Sequence, residues 1–97
     1  MYTVLTTPLF DAWFSRLKDR QAKVRIQARL DRVEDGNFGD HKSVGGGISE
    51  LRIAYGPGYR LYYVVRDLEI VILLVGGDKS TQGADIATAM DLLKSIR

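Results

Sequence analysis

Apolar and polar residues alternate with a period of two through the middle of the chain, and this pattern predicts three β-strands. The strands are expected over Ile48 to Ala54, Tyr59 to Arg66 and Glu69 to Val75. Aromatic and β-branched residues are frequent in them, as is typical of strands. Reversals are expected at Gly56-Pro57-Gly58 and at Asp67-Leu68, where turn-forming residues interrupt the pattern. The sequence therefore predicts a three-stranded antiparallel meander.

A short strand, a loop and a turn are expected on either side of this meander. A short strand is expected over Tyr2 to Leu5, next to the last meander strand, because the apolar run Ile70 to Val75 favours an interior strand. The segment Phe38 to Gly47 is glycine-rich and is expected to be a loop. Gly76 to Lys79 is expected to form a turn.

Three helices are predicted from apolar residues at helical spacing. The first begins at Thr7-Pro8, with threonine as N-cap and proline at the first helical position. The second runs from about Asp19 to a stop before Gly36, and the third from Ser80 or Thr81 through Ile96. The expected inner face of the first helix is Leu9, Phe10, Trp13, Phe14 and Leu17. That of the second is Ala22, Ile26, Leu30 and Val33, and that of the third is Ile86, Met90, Leu93 and Ile96.

The order of elements is β-α-α-β-β-β-α, which indicates an α+β fold with a meander sheet packed against helices. Residues 1–97 are expected to form a single domain. The chain has no cysteine, which excludes disulfides and thiolate metal sites and suits a reducing compartment. The N-terminal residues lack signal-peptide features, and no apolar run is long enough to span a bilayer, so a cytoplasmic location is expected.

The alternation places charged residues on one face of the predicted sheet. Arg60 and Tyr62 are expected on an open face, while Tyr59, Leu61, Tyr63 and Val65 pack under the helices. Glu50 and Arg52 share the corresponding face of the preceding strand. Two arginines and a tyrosine there suit a phosphodiester and a stacked base. The commoner explanation is a solvated face with a Glu50–Arg52 ion pair.

Charge is also concentrated in the helical region. Between Arg16 and Arg32 the chain carries seven Lys or Arg residues against Asp19 and Asp31. Such a segment, which includes Lys23 and Arg25, suits a nucleic-acid backbone or an acidic partner. A solvated helix face is the more frequent explanation.

Few residues suggest acid–base or metal chemistry. There is no metal-ligand spacing, nucleophile elbow or phosphate loop. The single histidine, His41, suits a general acid or base, although a lone loop histidine is more often a surface residue. Lys79 precedes a predicted helix N-terminus, a location that favours anions.

Three short motifs carry a resemblance to a known family. The ELR tripeptide at Glu50, the GPGYR turn at Gly56 and the GDKSTQ block at Gly77, in this order of elements, resemble the RelE/ParE superfamily of bacterial toxins. The closer resemblance is to its HigB-like "addiction module killer protein" branch. This resemblance implies a type II toxin with a cognate helix-turn-helix (HigA-like) antitoxin. RelE-like members cut mRNA on the ribosome without a metal, whereas ParE-like members poison DNA gyrase.

The resemblance also implies roles for individual residues. Arg60 matches the strand arginine of RelE-like toxins, and Lys79 matches a second basic residue after the last strand. Arg52 would bind the flanking backbone, and Tyr62 or Tyr55 would stack on a base. His41, Glu50 and Asp78 are the candidates for a general base. Further RNA contacts are expected from Lys42, Lys23 and Arg25.

The sequence departs from the RelE pattern in two respects. No tyrosine occurs from Ser80 to Asp91, and the paired lysines before the turn are reduced to Arg52. The favoured interpretation is a ribosome-dependent mRNA endonuclease that needs neither metal nor cofactor, with ribosome and mRNA as partners. The alternatives are a non-enzymatic inhibitor of gyrase and a module that only binds an antitoxin.

Overall fold

The computed structural model describes residues 1–96, which form five β-strands and three α-helices. The strands are β1 (Thr3–Thr6), β2 (His41–Gly45), β3 (Ile48–Ile53), β4 (Tyr59–Arg66) and β5 (Ile70–Asp78). The helices are α1 (Pro8–Arg16), α2 (Arg20–Glu34) and α3 (Gln82–Ser95), and a 3₁₀ turn over Lys79–Thr81 leads into α3. This is the predicted α+β class. Within residues 1–96 every helix is too short or too polar to span a bilayer.

All five strands belong to one sheet, in the order β1-β5-β4-β3-β2. Strands β2 to β5 are antiparallel neighbours, so the predicted meander is confirmed. Strand β1 pairs in parallel with β5, from Thr3 opposite Ile70 to Thr6 opposite Leu73. The prediction that the N-terminal strand lies beside the last strand is therefore confirmed.

Two predicted boundaries in the sheet are wrong. The expected loop over Phe38 to Gly47 contains β2, an edge strand whose side chains are mostly exposed. It forms because its backbone pairs with β3, which requires no apolar alternation. The expected turn at Gly76 to Lys79 is also misplaced, because β5 continues to Asp78 and pairs with the start of β4.

Helix starts follow the predicted caps. The Oγ1 of Thr7 accepts a hydrogen bond from the Phe10 amide at 3.1 Å and donates one to the Leu74 carbonyl at 2.7 Å, which ties α1 to β5. Asp19 caps α2 by accepting from the Gln21 amide at 2.9 Å.

The four predicted inner residues of α2 are all buried. Two other predicted inner residues, Leu9 and Ile96, are exposed, so those assignments are wrong.

Helices cover both faces of the sheet, which gives two apolar clusters. One lies under α1 and α2 and includes Leu51, Leu61 and Tyr63. The other lies under α3 and includes Tyr62, Val64, Leu74 and Leu93. The expected open face is therefore wrong, because α3 packs on it and Tyr62 is 0% exposed. Val65, expected to be packed, is instead exposed.

Candidate functional site

Strand register brings two arginines together at one end of the sheet. Arg52 of β3 lies directly opposite Arg60 of β4, and Arg60 lies opposite Gly77 of β5. Directly paired residues of neighbouring strands project from the same face. Both arginines therefore project from the face that α3 covers, near the sheet end where α3 begins. Lys79 follows Gly77 by two residues and reaches the same place.

The predicted turn between β3 and β4 contacts this end of the sheet. Gly56 and Gly58 have φ angles of +57° and +81°, which glycine adopts without strain. A Cβ on Gly58 would lie 3.5 Å from the Cβ of Lys79. The turn therefore packs closely on the segment that carries Lys79.

These elements enclose a cavity of about 290 Å³, called the phosphate cavity below. Its lining consists of Asp40, Arg52, Ile53, Ala54, Gly58, Arg60 and Lys79. Three cationic side chains and one carboxylate therefore face the same space, which gives the cavity a positive balance of charge.

A buried carboxylate holds Arg60. The Nη1 of Arg60 donates to both oxygens of Glu50, at 3.1 and 3.2 Å. Glu50 is 2% exposed and also accepts from Nε2 of Gln82, at 3.3 and 3.5 Å. Within residues 1–96, the Nε and Nη2 of Arg60 have no hydrogen-bond partner, so they are available for an anion in the cavity.

The second arginine is paired with an acidic residue of the cavity lining. The Nη2 and Nε of Arg52 donate to Oδ1 of Asp40, at 2.7 and 3.1 Å. The hydrogen bond from Arg52 lowers the pKa of Asp40 below its ordinary value. The Glu50–Arg52 ion pair considered from the sequence is wrong, since each of these residues has a different partner.

Lys79 is the third cation of the cavity. Its side chain is exposed, and no carboxylate of residues 1–96 forms an ion pair with it. The neighbouring Asp78 accepts hydrogen bonds from the Ser80 side chain and amide, which lower its pKa. Asp78 therefore caps the 3₁₀ turn, and this role makes it a poor general base.

Other candidate residues lie elsewhere. His41 pairs with Leu51 in the sheet and so projects from the face of α1 and α2, opposite to Arg60. Its Nδ1 lies 2.9 Å from the Gly39 carbonyl oxygen, and the side chain is outside the phosphate cavity. Lys42 is an exposed residue of the edge strand β2. Tyr62 has no surface on which a base can stack.

The remaining candidates lie along α2 and the end of β3. The Nζ of Lys23 donates to the Ser15 carbonyl at 3.2 Å and lies 5.7 Å from the Phe14 ring centroid. The guanidinium of Arg25 lies 4.6 Å from the centre of the Tyr55 ring. The hydroxyl of Tyr55 donates to Asp19 at 2.9 Å, an interaction that raises the pKa of Tyr55. These residues are outside the phosphate cavity.

Sequence reasoning missed two residues of the site. Asp40 pairs with Arg52, and Gln82 hydrogen bonds to Glu50. The contact of Asp40 follows from the pairing of the next segment with β3 as a strand. That segment has no apolar alternation, so the sequence does not indicate the strand. Gln82 lies on the first turn of α3, and only packing of that helix on the sheet reveals its contact.

The geometry suits the binding of a phosphodiester. Guanidinium groups bind phosphate oxygens in a directional manner, and an ammonium group adds a mobile charge. Within residues 1–96, no cluster of three His, Cys, Asp or Glu side chains suits a metal ion. The cavity therefore offers an anion the anchored charges of two arginines and the mobile charge of Lys79.

Comparison with known proteins gives a family and a fold. Residues 12–94 match the family described as "Phage derived protein Gp49-like (DUF891)". An uncharacterized protein of Haemophilus influenzae is 52% identical over 93 residues, which is 96% of this chain and 94% of that protein.

Three solved structures have a similar fold. A chain of the Escherichia coli RelBE toxin–antitoxin complex matches with a TM-score of 0.68 at 18% identity, covering 80% of this chain and 96% of that one. The isolated Escherichia coli RelE toxin matches with a TM-score of 0.67 at 18% sequence identity, and the match covers 87% of this chain and 95% of that one. A conserved hypothetical protein of Helicobacter pylori matches with a TM-score of 0.58 at 21% sequence identity, and the match covers 82% of this chain and 97% of that one. The chain therefore has a RelE-like fold.

Proposed function

The chain belongs to the phage-derived Gp49-like family, and we propose that it is a type II toxin that cuts mRNA on the ribosome. The observation that carries the proposal is the convergence of Arg52, Arg60 and Lys79 on one cavity of about 290 Å³. The RelE-like fold supports the toxin class, although one fold hosts several activities. We place the chain in the HigB-like branch on the motifs of its sequence.

The proposed reaction needs charge stabilisation more than any other contribution. The 2′-hydroxyl of a nucleotide releases its proton to water and its oxygen forms a bond to the adjacent phosphorus. The bond to the 5′-oxygen breaks and that oxygen takes up a proton from water, which leaves a cyclic phosphate and a free 5′-hydroxyl. Negative charge builds on the phosphoryl oxygens during this step. Arg60 would face those oxygens with little reorganisation, because Glu50 holds its guanidinium in place. The exposed ammonium group of Lys79, in the same cavity, would add a second positive charge. Arg52 would bind the adjoining backbone.

The proposal includes partners and a place of action. The toxin would be held inactive by a cognate antitoxin of the helix-turn-helix, HigA-like type, and ribosomes and mRNA would be its targets in the cytoplasm. Support comes from the RelBE complex, in which a chain of this fold occurs in a toxin–antitoxin assembly.

The proposal is tested with purified protein, programmed ribosomes and a defined message. Primer extension should detect cuts within the translated part of the message when ribosomes are present, and none on naked message. In a parallel reaction, gyrase should introduce supercoils at its ordinary rate.

The rival activity gives the opposite pair of results. Intact messages together with blocked supercoiling would assign the chain to the gyrase inhibitors and contradict the nuclease proposal. Intact messages with normal supercoiling would leave only a module that binds an antitoxin.

A further inference from the structure

A second basic cavity lies beside the first. It has a volume of about 210 Å³ and is called the arginine cavity below. Its lining is Arg25, Ala28, Arg29 and Arg32 of α2 with Ile53, Ala54 and Tyr55 after β3. The arginines are spaced by four and three residues, so they share one face of the helix. Like charges at this spacing repel one another, which makes the cluster a candidate for an anion.

Of the three arginines, Arg29 is held by hydrogen bonds to the backbone, whereas Arg25 and Arg32 form no ion pair within residues 1–96. Arg29 donates to the backbone carbonyls of Arg52, Phe38 and Asp40 at 2.6, 3.0 and 3.1 Å, so its charge is fixed. Burial lowers the pKa of Arg29, and the charge of Arg32 lowers it further. Arg25 and Arg32 are exposed, and within residues 1–96 neither forms an ion pair.

The arginine cavity also offers an aromatic surface. Arg25 lies over the ring of Tyr55 at 4.6 Å, and the hydroxyl of Tyr55 is bonded to Asp19. A guanidinium stacked on an aromatic ring keeps its edge free for phosphate oxygens. Protein surfaces that bind single-stranded nucleic acid combine such cations with aromatic side chains.

The two cavities adjoin. Ile53 and Ala54 line both of them. Arg29 binds the backbone carbonyl of Arg52, whose side chain lines the phosphate cavity. A strand bound at Arg60 and Lys79 would therefore meet the arginine cavity when it continues across Ile53 and Ala54.

We propose that the arginine cavity binds a phosphodiester of the same single-stranded RNA that occupies the phosphate cavity, through Arg25 and Arg32. This inference rests on the proposed function, because it extends the substrate path of that site. RNA is favoured over an acidic protein segment, since the cavity continues a path that already begins at a phosphate site. Lys23, two residues from Arg25, is excluded from this path by its contacts with Ser15 and Phe14.

The probe is a fluorescein-labelled RNA of about ten nucleotides, a length within the site size of small single-strand binders. All its riboses are 2′-O-methylated, so it lacks the nucleophile for cleavage. Anisotropy titrations at several salt concentrations compare the full chain with Arg25→Gln/Arg32→Gln. The matched control is Lys18→Gln/Lys94→Gln, which removes the same charge from exposed positions outside both cavities.

The double arginine variant should bind about tenfold or more weakly at low salt, and its salt slope should fall by about 0.7, the value for one neutralised phosphate of a single strand. The control should stay within about twofold of wild type, because unplaced charges act only at long range. Equal affinities for the two variants, or no binding of the probe by wild type, would overturn the arginine cavity as an RNA site.

Failure of the proposed function has a different signature. A chain that binds the probe through Arg25 and Arg32 but leaves messages intact on ribosomes would contradict the nuclease and not the RNA path. If the double arginine variant loses affinity only for a purified antitoxin and keeps affinity for the probe, the cavity is a protein-binding site and the inference is wrong.

Discussion

Arg60 depends on a carboxylate that lies beneath α3. Glu50 is 2% exposed, and both its oxygens accept from Nη1 of Arg60. A buried charge that loses its partner is costly, because nothing replaces the solvation it gave up on folding. Arg60→Ala would therefore disturb stability as well as function, which makes Arg60→Lys the better functional variant. Lysine keeps a charge near Glu50 but lacks the directional guanidinium.

Replacing Glu50 tests this support. Glu50→Gln should lower the free energy of unfolding by about 3 kcal/mol, the scale for removing one partner of a buried pair. It should also reduce message cleavage, since the guanidinium of Arg60 loses its anchor. The matched control is Gln82→Ala, which removes only the longer bonds of 3.3 and 3.5 Å and should cost less than about 1 kcal/mol. Urea unfolding followed by the fluorescence of Trp13 measures both variants, and equal stability of Glu50→Gln and wild type would contradict the role of the pair.

Tyr62 is a buried residue with a polar atom that is not satisfied. Its hydroxyl has no hydrogen-bond partner within residues 1–96. Burial, with the nearby charges of Glu50 and Asp85, raises the pKa of Tyr62 to about 12. The folded pKa thus exceeds the unfolded value of about 10. The folded state therefore loses stability as pH rises from about 10 towards 12, because the unfolded chain then releases the phenol proton and the folded chain retains it.

Tyr62→Phe removes the hydroxyl and keeps the ring. The variant should gain about 1 kcal/mol at neutral pH, because the desolvation of an unpaired hydroxyl is no longer required. Above about pH 10 its advantage over wild type should widen, because only wild type must keep this phenol protonated in the folded state. Urea midpoints measured across this pH range provide the comparison. A variant less stable than wild type would show that the hydroxyl has a partner, and a difference that stays constant with pH would show that the pKa of Tyr62 is not raised.

For single residues, the sequence predicts the face of the sheet on which a side chain lies better than the residue with which it pairs. Alternation correctly puts Arg60, Tyr62, Glu50 and Arg52 on one face. Alternation does not reveal which charged residues form ion pairs. Arg60 and Glu50 are diagonal neighbours on adjacent strands, and Asp40 precedes a strand that has no apolar alternation. Alternation also does not reveal that α3 buries Tyr62.

Strand β5 shows how a glycine positions an element. A Cβ on Gly76 would overlap the six-membered ring of Trp13, so α1 packs against β5 only because this residue has no side chain. Gly77 lies in the same way against Asp85 and Thr81 of the α3 segment. The two glycines let helices approach opposite faces of one strand, which explains why a Gly-Gly pair continues the strand where a turn was expected.

Gly76→Ala should lower the free energy of unfolding by about 1–3 kcal/mol, the usual cost of overpacking. Gly83→Ala, near the start of α3, is the matched control, because no atom lies within 4 Å of its added Cβ. The control should be stabilised by up to about 1 kcal/mol, since alanine is the better helix former. Thermal and urea unfolding measure both. A neutral Gly76→Ala would mean that α1 adjusts its packing on the sheet freely.

Elements with a core-facing stripe were predictable, and elements without one were not. The α2 stripe of Ala22, Ile26, Leu30 and Val33 is buried as expected. Strand β2 has the sequence HKSVG and is stabilised by backbone pairing at a sheet edge, which leaves no trace in hydropathy. In β5 a register shift falls between the partners of Tyr62 and Tyr63, so its apolar run does not alternate simply between the faces.

Considered as a whole molecule, the sheet is covered by α1 and α2 on one face and by α3 on the other. The end of the sheet that carries the turn at Gly58 remains accessible, and both basic cavities lie there. Arg60 and Lys79 therefore meet at an end of the sheet that the helices leave accessible.

The most direct measurement is the rate of message cleavage on programmed ribosomes by wild type, Arg60→Lys and Lys79→Ala. We expect a loss of about 10²–10³-fold for each variant, the scale of one charge-stabilising donor. Lys94→Ala, an exposed change outside the cavity, should retain full activity. Folded Arg60→Lys and Lys79→Ala proteins that cut as fast as wild type would contradict the phosphate cavity as the site of cleavage, and an intact message with wild type would contradict the nuclease itself.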